Sequence, residues 1–442
     1  MAGEYTEPGE QGTKFKTEFV AGVTTFLTMA YIIFVNPLIL SSAGMDKNAL
    51  IAVTCIVSAV ATLIVGVFAN APIAMAPGMG LNAFFAYLVA SGRMDWQTAL
   101  GVVFLSGLFF LILTLVGLRK KIVEAIPASL ISAIAVGIGL FITFIGLTKL
   151  GIVVADENTL VSAGPLTFTV LIGLFGLLVM VFFEMRKMTG GLVLGILAAT
   201  LLAILFDENV KIPAHLVSLD LNVTAISFKL NILGALKWGF FGSIFTLMFM
   251  DMFDSIGTLV ACCHQAKMVD DRDRIRGLDR LLGIDAVATM IGAVFGTSTT
   301  TAYIESAAGI EQGGRTGLTS IVTGVLFFLA LLFVPVVEIV PAYATAPALI
   351  MVGLFMMKEV KRINFDDLAE AFPAFIIVVM IALSYSISTG LAFGFISFVL
   401  IKVISGRIGD VKAAMWIIAL MSLIFLTLDH LPGVIECFKG LL

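Results

Sequence analysis

The chain of 442 residues is poor in the groups that most enzyme chemistry needs. Charged residues are only 13%, with four cysteines and three histidines. Cys55, Cys262, Cys263 and Cys437 form no CxxC pair and no metal-ligand spacing, so they read as small buried hydrophobes. His215, His264 and His430 lie at or near expected loops and build no metal or nucleophile constellation with the cysteines. No metal, cofactor or catalytic residue is expected. The first thirteen residues hold no basic stretch leading into an apolar run, which argues against a cleavable signal peptide.

What is present is apolar. Hydrophobic residues make up 60% and the mean hydropathy is +1.10. A soluble core cannot hide that much apolar surface, so the chain reads as an all-α polytopic membrane protein with the lipid bilayer as its surroundings. A span needs roughly 20 apolar residues. Segments fall near 17–43, 49–70, 71–91, 97–118, 122–148, 165–184 and 189–206, then 234–262, 279–296, 297–313, 316–338, 341–358, 366–387 and 388–405. Fourteen segments are thus expected, and a further run, Met415–Leu428, spans, lies at the interface or packs on the bundle. With a cytoplasmic N-terminus, nineteen Lys and Arg fall inside and six outside, a strong positive-inside bias. The loop Lys267–Arg280 nearly balances acids against bases, which makes nucleic acid a poor partner.

The two halves echo each other. Ile126–Phe141 (IPASLISAIAVGIGLF) and Val340–Phe355 (VPAYATAPALIMVGLF) share Pro127/Pro341, Ala128/Ala342, Gly139/Gly353, Leu140/Leu354 and Phe141/Phe355 in register. Two halves of seven segments put the second upside down relative to the first, as in many transporters. Each half also has a segment that cannot be a smooth helix. Ala71–Phe85 (APIAMAPGMGLNAFF) carries Pro72, Pro77, Gly78 and Gly80. Gly296–Gly314 (GTSTTTAYIESAAGIEQGG) has consecutive hydroxyl residues from Thr297 to Thr301, then Glu305. The threonines favour extended backbone and are expected to pair with Ile73–Pro77. Interrupted segments at matching positions are the best sequence pointer to a binding site near the bilayer midplane.

Acids at that depth are functional candidates by default. Glu305 follows the extended run, where a half-helix should begin. Asp251 and Asp254 lie in MFMDMFDSIGTL and share a helix face at i,i+3. Gly78, Met79 and Gly80 let a ligand approach the backbone, and Asn82 begins the other half-helix with both donor and acceptor. Tyr303 is an aromatic two residues before Glu305. Asp285 reads as structural as readily as functional. Aligning the halves through Gly22 and Gly242 sets Tyr31 opposite Asp251, so the first segment lines the same cavity.

APGMGLNAFF (76–85), MDMFDSIGTL (250–259), GTSTTTAYIESAAGIEQGGRTGLT (296–319) and the opening TEFVAGVTTFLTMAYIIFVNP (17–37) resemble the AzgA-like purine permeases of the nucleobase–ascorbate transporter superfamily. The resemblance covers essentially the whole chain. It implies fourteen segments in two inverted sevens, segments 3 and 10 being the broken ones. The implied core domain is residues 17–121 and 234–338, and the gate domain 122–233 and 339–406. A cytoplasmic tail, 1–16, and a C-terminal segment, 407–442, flank them. The resemblance further implies proton-coupled import of hypoxanthine, guanine or adenine across the cell membrane. The family's essential acids fall on Asp251 and Glu305, further polar positions on Asp254 and Asn82, and a substrate-proximal glycine on Gly80. A purine suits such a site, since carboxylates accept from its N–H groups. In that reading Glu305 and Asp251 grip the ring N–H edge, backbone at Met79–Gly80 and Tyr303–Glu305 lines the site, and Asn82 fixes orientation. One of Asp251, Asp254 and Glu305 carries the proton. A homodimer is a candidate assembly.

Two rival readings fit less well. An anion transporter of the same architecture wants a basic or neutral centre. An intramembrane aspartyl protease needs two aspartates on facing helices and a GxGD-like motif, which the chain lacks.

Overall fold

The computed structural model describes residues 8–92, 94–117, 126–210, 221–268 and 277–439, with His215, Val217 and Ile275. Met1–Glu7 of the expected tail lie outside the described residues. So do Arg93, Arg119, Lys120, Lys121, Lys211, Arg272, Arg274 and Arg276 of the charge count.

The first apolar stretch is two helices, α1 (Pro8–Met29) and α2 (Ile32–Leu40), with a break at Ala30–Tyr31. Then come α3 (Lys47–Ile64), β1 (Met75–Pro77), α4 (Met79–Ala90), α5 (Trp96–Leu115) and α6 (Ala128–Leu150). A hairpin, β2 (Val153–Asp156) and β3 (Leu160–Ala163), leads to α7 (Phe168–Met185) and α8 (Gly191–Phe206). The second half holds α9 (Phe241–Gln265), α10 (Leu278–Phe295), β4 (Thr300–Ala302), α11 (Ser306–Glu311), α12 (Gly317–Ala330), α13 (Val334–Glu338) and α14 (Ala342–Met356). α15 (Leu368–Leu383), α16 (Ile387–Ile404) and α17 (Ala413–Lys439) complete it.

Helix boundaries follow local chemistry. Asp46 and Asp95 accept from the backbone N–H groups of Ala49 and Thr98, capping α3 and α5, and Asp367 caps α15 in the same way. Gly151 and Gly296 take left-handed conformations that end α6 and α10. Among the described residues eight helices are long and apolar enough to cross a membrane, and α4, α8, α15, much of α16 and the start of α17 are shorter apolar helices. The protein is therefore multi-pass, and mainly rather than purely helical.

The β2–β3 hairpin is not in the sequence expectation. It forms because β-branched residues flank an aspartate turn. Asp156 Oδ1 accepts from the N–H groups of Asn158 and Thr159 and from the Thr159 hydroxyl. These donors hold the exposed Asp156 carboxyl below the usual range.

The helices pack as two groups. In one, α1 and α3 lie on α12, and α5 lies on α10 and α9. In the other, α6 lies on α14 and α15, and α15 on α16. At the α6–α14 crossing the backbones nearly touch. A Cβ on Gly139 would stand 3.0 Å from the Gly353 carbonyl oxygen. A Cβ on Gly353 would stand 2.5 Å from the Gly139 oxygen and collide with Thr143 Oγ1. These are the two glycines matched by the repeat.

Candidate functional site

The two broken segments meet in the middle of the first group. β1 pairs antiparallel with β4, with Met75 opposite Ala302, Ala76 opposite Thr301 and Pro77 opposite Thr300. The ladder continues through Gly78 N–H to Thr299 O at 3.0 Å and Tyr303 N–H to Ala74 O at 3.0 Å. Alternation then makes Pro77–Thr300 and Met75–Ala302 the non-hydrogen-bonded pairs. Pro77 can therefore sit in the strand, because its missing N–H is not required by the ladder. The backbone groups that point outward need other partners in a water-poor interior. Thr62 of α3 supplies them for Met75: its hydroxyl accepts from Met75 N–H and donates to Met75 O, both at 3.0 Å. Thr289 of α10 does the same for Thr300, accepting at 3.1 Å and donating at 3.0 Å.

Behind the strands lies a buried polar layer. Asn82 is fully buried, its amide donates to Asn36 Oδ1 at 2.6 Å, and its oxygen accepts from Ser298. Asn36 in turn donates to Thr54 at 2.7 Å and Thr297 at 3.2 Å. The Tyr303 phenol donates to Pro77 O at 2.5 Å and is almost wholly buried. Asp251 is also fully buried; Thr289 donates to its Oδ2 at 3.0 Å, and its Oδ1 has no hydrogen-bond partner among the described residues. Asp285 of α10, equally buried, accepts from Ser255 at 2.5 Å, and the Ser255 hydroxyl lies 2.8 Å from Thr301 Oγ1.

The other side is open. Asp254, three residues after Asp251, is exposed although it lies near the middle of α9. One turn on, a Cβ on Gly257 would meet nothing within 4 Å. Ile304 is 49% exposed and Glu305, just before α11, is half-buried. Tyr31, at the α1–α2 break, donates to Glu305 Oε1 at 2.5 Å. Asp254 and Glu305 are close enough for their charges to act on each other. Met79 and Gly80 are half-buried at the start of α4, and a Cβ on Gly80 would stand 2.6 Å from Ile138 Cγ2 of α6. Gly78 is buried, with room for no side chain against Thr301 and Leu81.

Of the eight residues singled out from the sequence, Asp254, Glu305, Met79 and Gly80 therefore border open space. Asp251, Asn82, Gly78 and Tyr303 stand behind it, the last three tied into the backbone crossing. The shared face expected for Asp251 and Asp254 is divided, because i,i+3 positions lie about 60° apart around a helix. The threonine run is buried scaffold, as expected from its sequence. Thr62, Thr289 and the Tyr31–Glu305 bond escaped the sequence reading. An intramembrane Asn-Pro pair at 36–37 was the available signal for the Asn82 partner.

Comparison with known proteins identifies the family and the fold. The permease family matches residues 16–393. The adenine permease AdeP of Escherichia coli is 41% identical over 415 residues, covering 93% of each chain. The guanine/hypoxanthine permease PbuO of Bacillus subtilis is 41% identical over 421 residues, covering 93% of this chain and 97% of its own. Among solved structures, the transmembrane domain of the cyanobacterial bicarbonate transporter BicA aligns with a TM-score of 0.65 at 15% identity, covering 91% of this chain and 97% of that one. The murine anion transporter Slc26a9 in its inward-facing state aligns at 0.62 and 11% identity, covering 91% and 70%. At such identities these two speak to the fold alone. The chain belongs to the permease family, in the branch of nucleobase–ascorbate transporters that its motifs resemble.

Proposed function

We propose that the protein imports a purine nucleobase by proton symport across the cell membrane, with its N-terminus in the cytoplasm. The observation that carries this reading is the acid pair of exposed Asp254 and half-buried Glu305, bordering open space where two broken segments cross. A flat neutral base offers N–H donors on its rim, and carboxylates accept from them strongly. Glu305 and Asp254 take the ring N–H edge, and the chain at Met79–Gly80 lines the floor. Asn82, Gly78 and Tyr303 hold that floor from behind, and Asp251 lies one layer deeper. The names of AdeP and PbuO bracket the substrate class as adenine or guanine/hypoxanthine.

The transport movement is a sliding of core against gate, the core being the group around α1, α3, α5, α9, α10 and α12. The gate is the group around α6, α7, α8, α14, α15 and α16. Fourteen segments in two inverted sevens give the frame. Two contacts support that symmetry: β1 pairs antiparallel with β4, and the repeat-matched Gly139 and Gly353 meet each other. The acids also disfavour the anion-transport reading, since they would repel the cargo.

The test is uptake of radiolabelled adenine, guanine and hypoxanthine in cells lacking their own purine permeases, with and without a protonophore. Uptake of at least one purine that collapses with the protonophore is expected. Uptake indifferent to the proton gradient overturns symport. Full uptake by Glu305→Ala overturns the site.

A further inference from the structure

We infer that Glu18 of α1 is a positioning residue for Glu305: it fixes the elbow between α11 and α12 to α1, and so sets where Glu305 meets the cargo. This rests on the reading of Glu305 as a cargo acceptor and adds to it what holds that acid in place.

Glu18 belongs to the opening motif TEFVAG, and the site described above makes no use of it. It is buried, and an acid out of water needs donors. The elbow supplies them. Glu18 Oε1 accepts from the backbone N–H groups of Arg315 at 3.0 Å and Thr316 at 3.1 Å, and Oε2 accepts from the Thr319 hydroxyl. These donors stand at the start of α12, where a helix leaves N–H groups unpaired and carries its positive dipole end. The neighbouring groups are satisfied as well, Gly317 N–H by Asn70 Oδ1 at 2.8 Å and Leu318 N–H by the Thr316 hydroxyl at 3.3 Å. Arg315 turns its guanidinium the other way and donates to Ile310 O at 2.5 Å and Gly314 O at 2.7 Å, closing the end of α11. The elbow is thus tied to α1 on one side and to α11 on the other.

From the elbow to Glu305, α11 lies flush on α1. A Cβ on Gly313 would stand 2.7 Å from Thr17 Cγ2, and one on Gly309 would stand 2.5 Å from the Ala21 carbonyl oxygen. At the far end Thr28 Oγ1 is 3.5 Å from Glu305 O, and Tyr31 donates to Glu305 Oε1. With only six residues, α11 is too short to hold its own place. Two grips on the first apolar stretch hold it instead, Glu18 at the elbow and Tyr31 at the head. Between them the contact is made by glycines, which offer no side chain to stop a slide along α1. A change in the reach of Glu18 would therefore move α11 as a unit. That movement carries Glu305 away from its place beside Asp254 and the chain at Met79–Gly80.

The test sets length against charge. Glu18→Gln keeps the length: its oxygen still serves the two N–H groups, and its amide can donate to Thr319 Oγ1, which has lone pairs to accept. Glu18→Asp keeps the charge and shortens the reach by one carbon. KM and maximal rate are measured for radiolabelled adenine, guanine and hypoxanthine in cells lacking their own purine permeases, normalised to surface protein. Glu18→Gln is expected within about threefold of the wild-type KM, and Glu18→Asp about tenfold above it. The reverse order, the mark of a charge acting without regard to place, overturns the assignment. So does Glu18→Asp with lowered abundance and a wild-type KM, the mark of a merely structural acid. A double-mutant cycle with Tyr31→Phe gives the second readout. Glu18 and Tyr31 lie roughly 15 Å or more apart along α1, at about 1.5 Å per residue, and effects at such a separation normally add. Because both act on Glu305, Tyr31→Phe is expected to raise KM by less than about threefold once Glu18→Asp is present. Full additivity overturns the assignment. If Glu18→Asp does not reach the membrane, Thr319→Val, which removes the donor at Oε2, is read the same way in the cycle. Wild-type protein that carries no purine, or Glu305→Ala with full uptake, overturns the site reading and this one with it. Uptake that depends on Glu305 and ignores Glu18 overturns this one alone.

Discussion

The two broken segments use one backbone device for two purposes. In the first half, Thr62 closes on Met75 alone: its hydroxyl donates once and accepts once, both to the same residue. In the second half, Thr289 serves Thr300 in the same manner but also lies 3.0 Å from Asp251 Oδ2. The first crossing is therefore a finished hydrogen-bond circuit. The second has one hydrogen for two acceptors, one of them a carboxylate. The polar side chains follow the same division. Asn82 in the first segment is fully buried and held by Asn36 and Ser298, whereas Glu305 in the second is half-buried and faces open space. Symmetry of backbone with asymmetry of acids suggests that one segment holds and the other responds.

Several substitutions break or sharpen that contrast. The largest effect is expected from Glu305→Ala, which removes the acceptor at the open face and should lower purine uptake by more than about a hundredfold. Uptake assays normalised to surface protein measure it. Next comes the threonine pair. Thr62→Ala and Thr289→Ala each strand two backbone groups, costing about 1–3 kcal/mol for each buried group left unsatisfied. Both should lower the melting temperature of the detergent-solubilised protein. Only Thr289→Ala should also alter gradient-driven accumulation relative to exchange, and equal transport behaviour in the two variants would dissolve the contrast. Tyr31→Phe deletes one donor to Glu305, a bond of about 1.5–3 kcal/mol when the acceptor is charged. About a tenfold or greater rise in KM is expected, with protein abundance unchanged. The smallest effect belongs to Glu311→Gln. That side chain is exposed and accepts from Gln265 at 3.2 Å, so near-normal uptake is expected. Complete loss there would move the open space a full turn along α11.

The sequence made much of this legible because the membrane restricts the solutions. Apolar runs set the helices, and Pro72, Pro77, Gly78 and the hydroxyl run mark the two interruptions. Their pairing was readable too, since strand edges in an apolar interior must find each other. Which acid faces the opening was not readable. Asp251 and Asp254 share a helical stripe in projection, and only the positions of α10 and β4 reveal that one is covered and the other is not. Asn82 carried the same ambiguity. An amide suits a ligand as well as it suits a neighbour, and the neighbours at Asn36 and Ser298 are 46 and 216 residues away in sequence. Asp285 looked unremarkable because its partner Ser255 lies on another helix. The β2–β3 hairpin was hidden in a loop that hydropathy alone treats as a gap between spans.

The contact of Gly139 with Gly353 has a consequence for how such a chain can change over time. The two glycines that the sequence echo matches touch each other there. A methyl group gained at either glycine lands on the opposite helix, and the partner glycine has no side chain left to shrink in compensation. Neither copy can drift alone. The crossing therefore fixes both positions together, while the sequence around them is free to change.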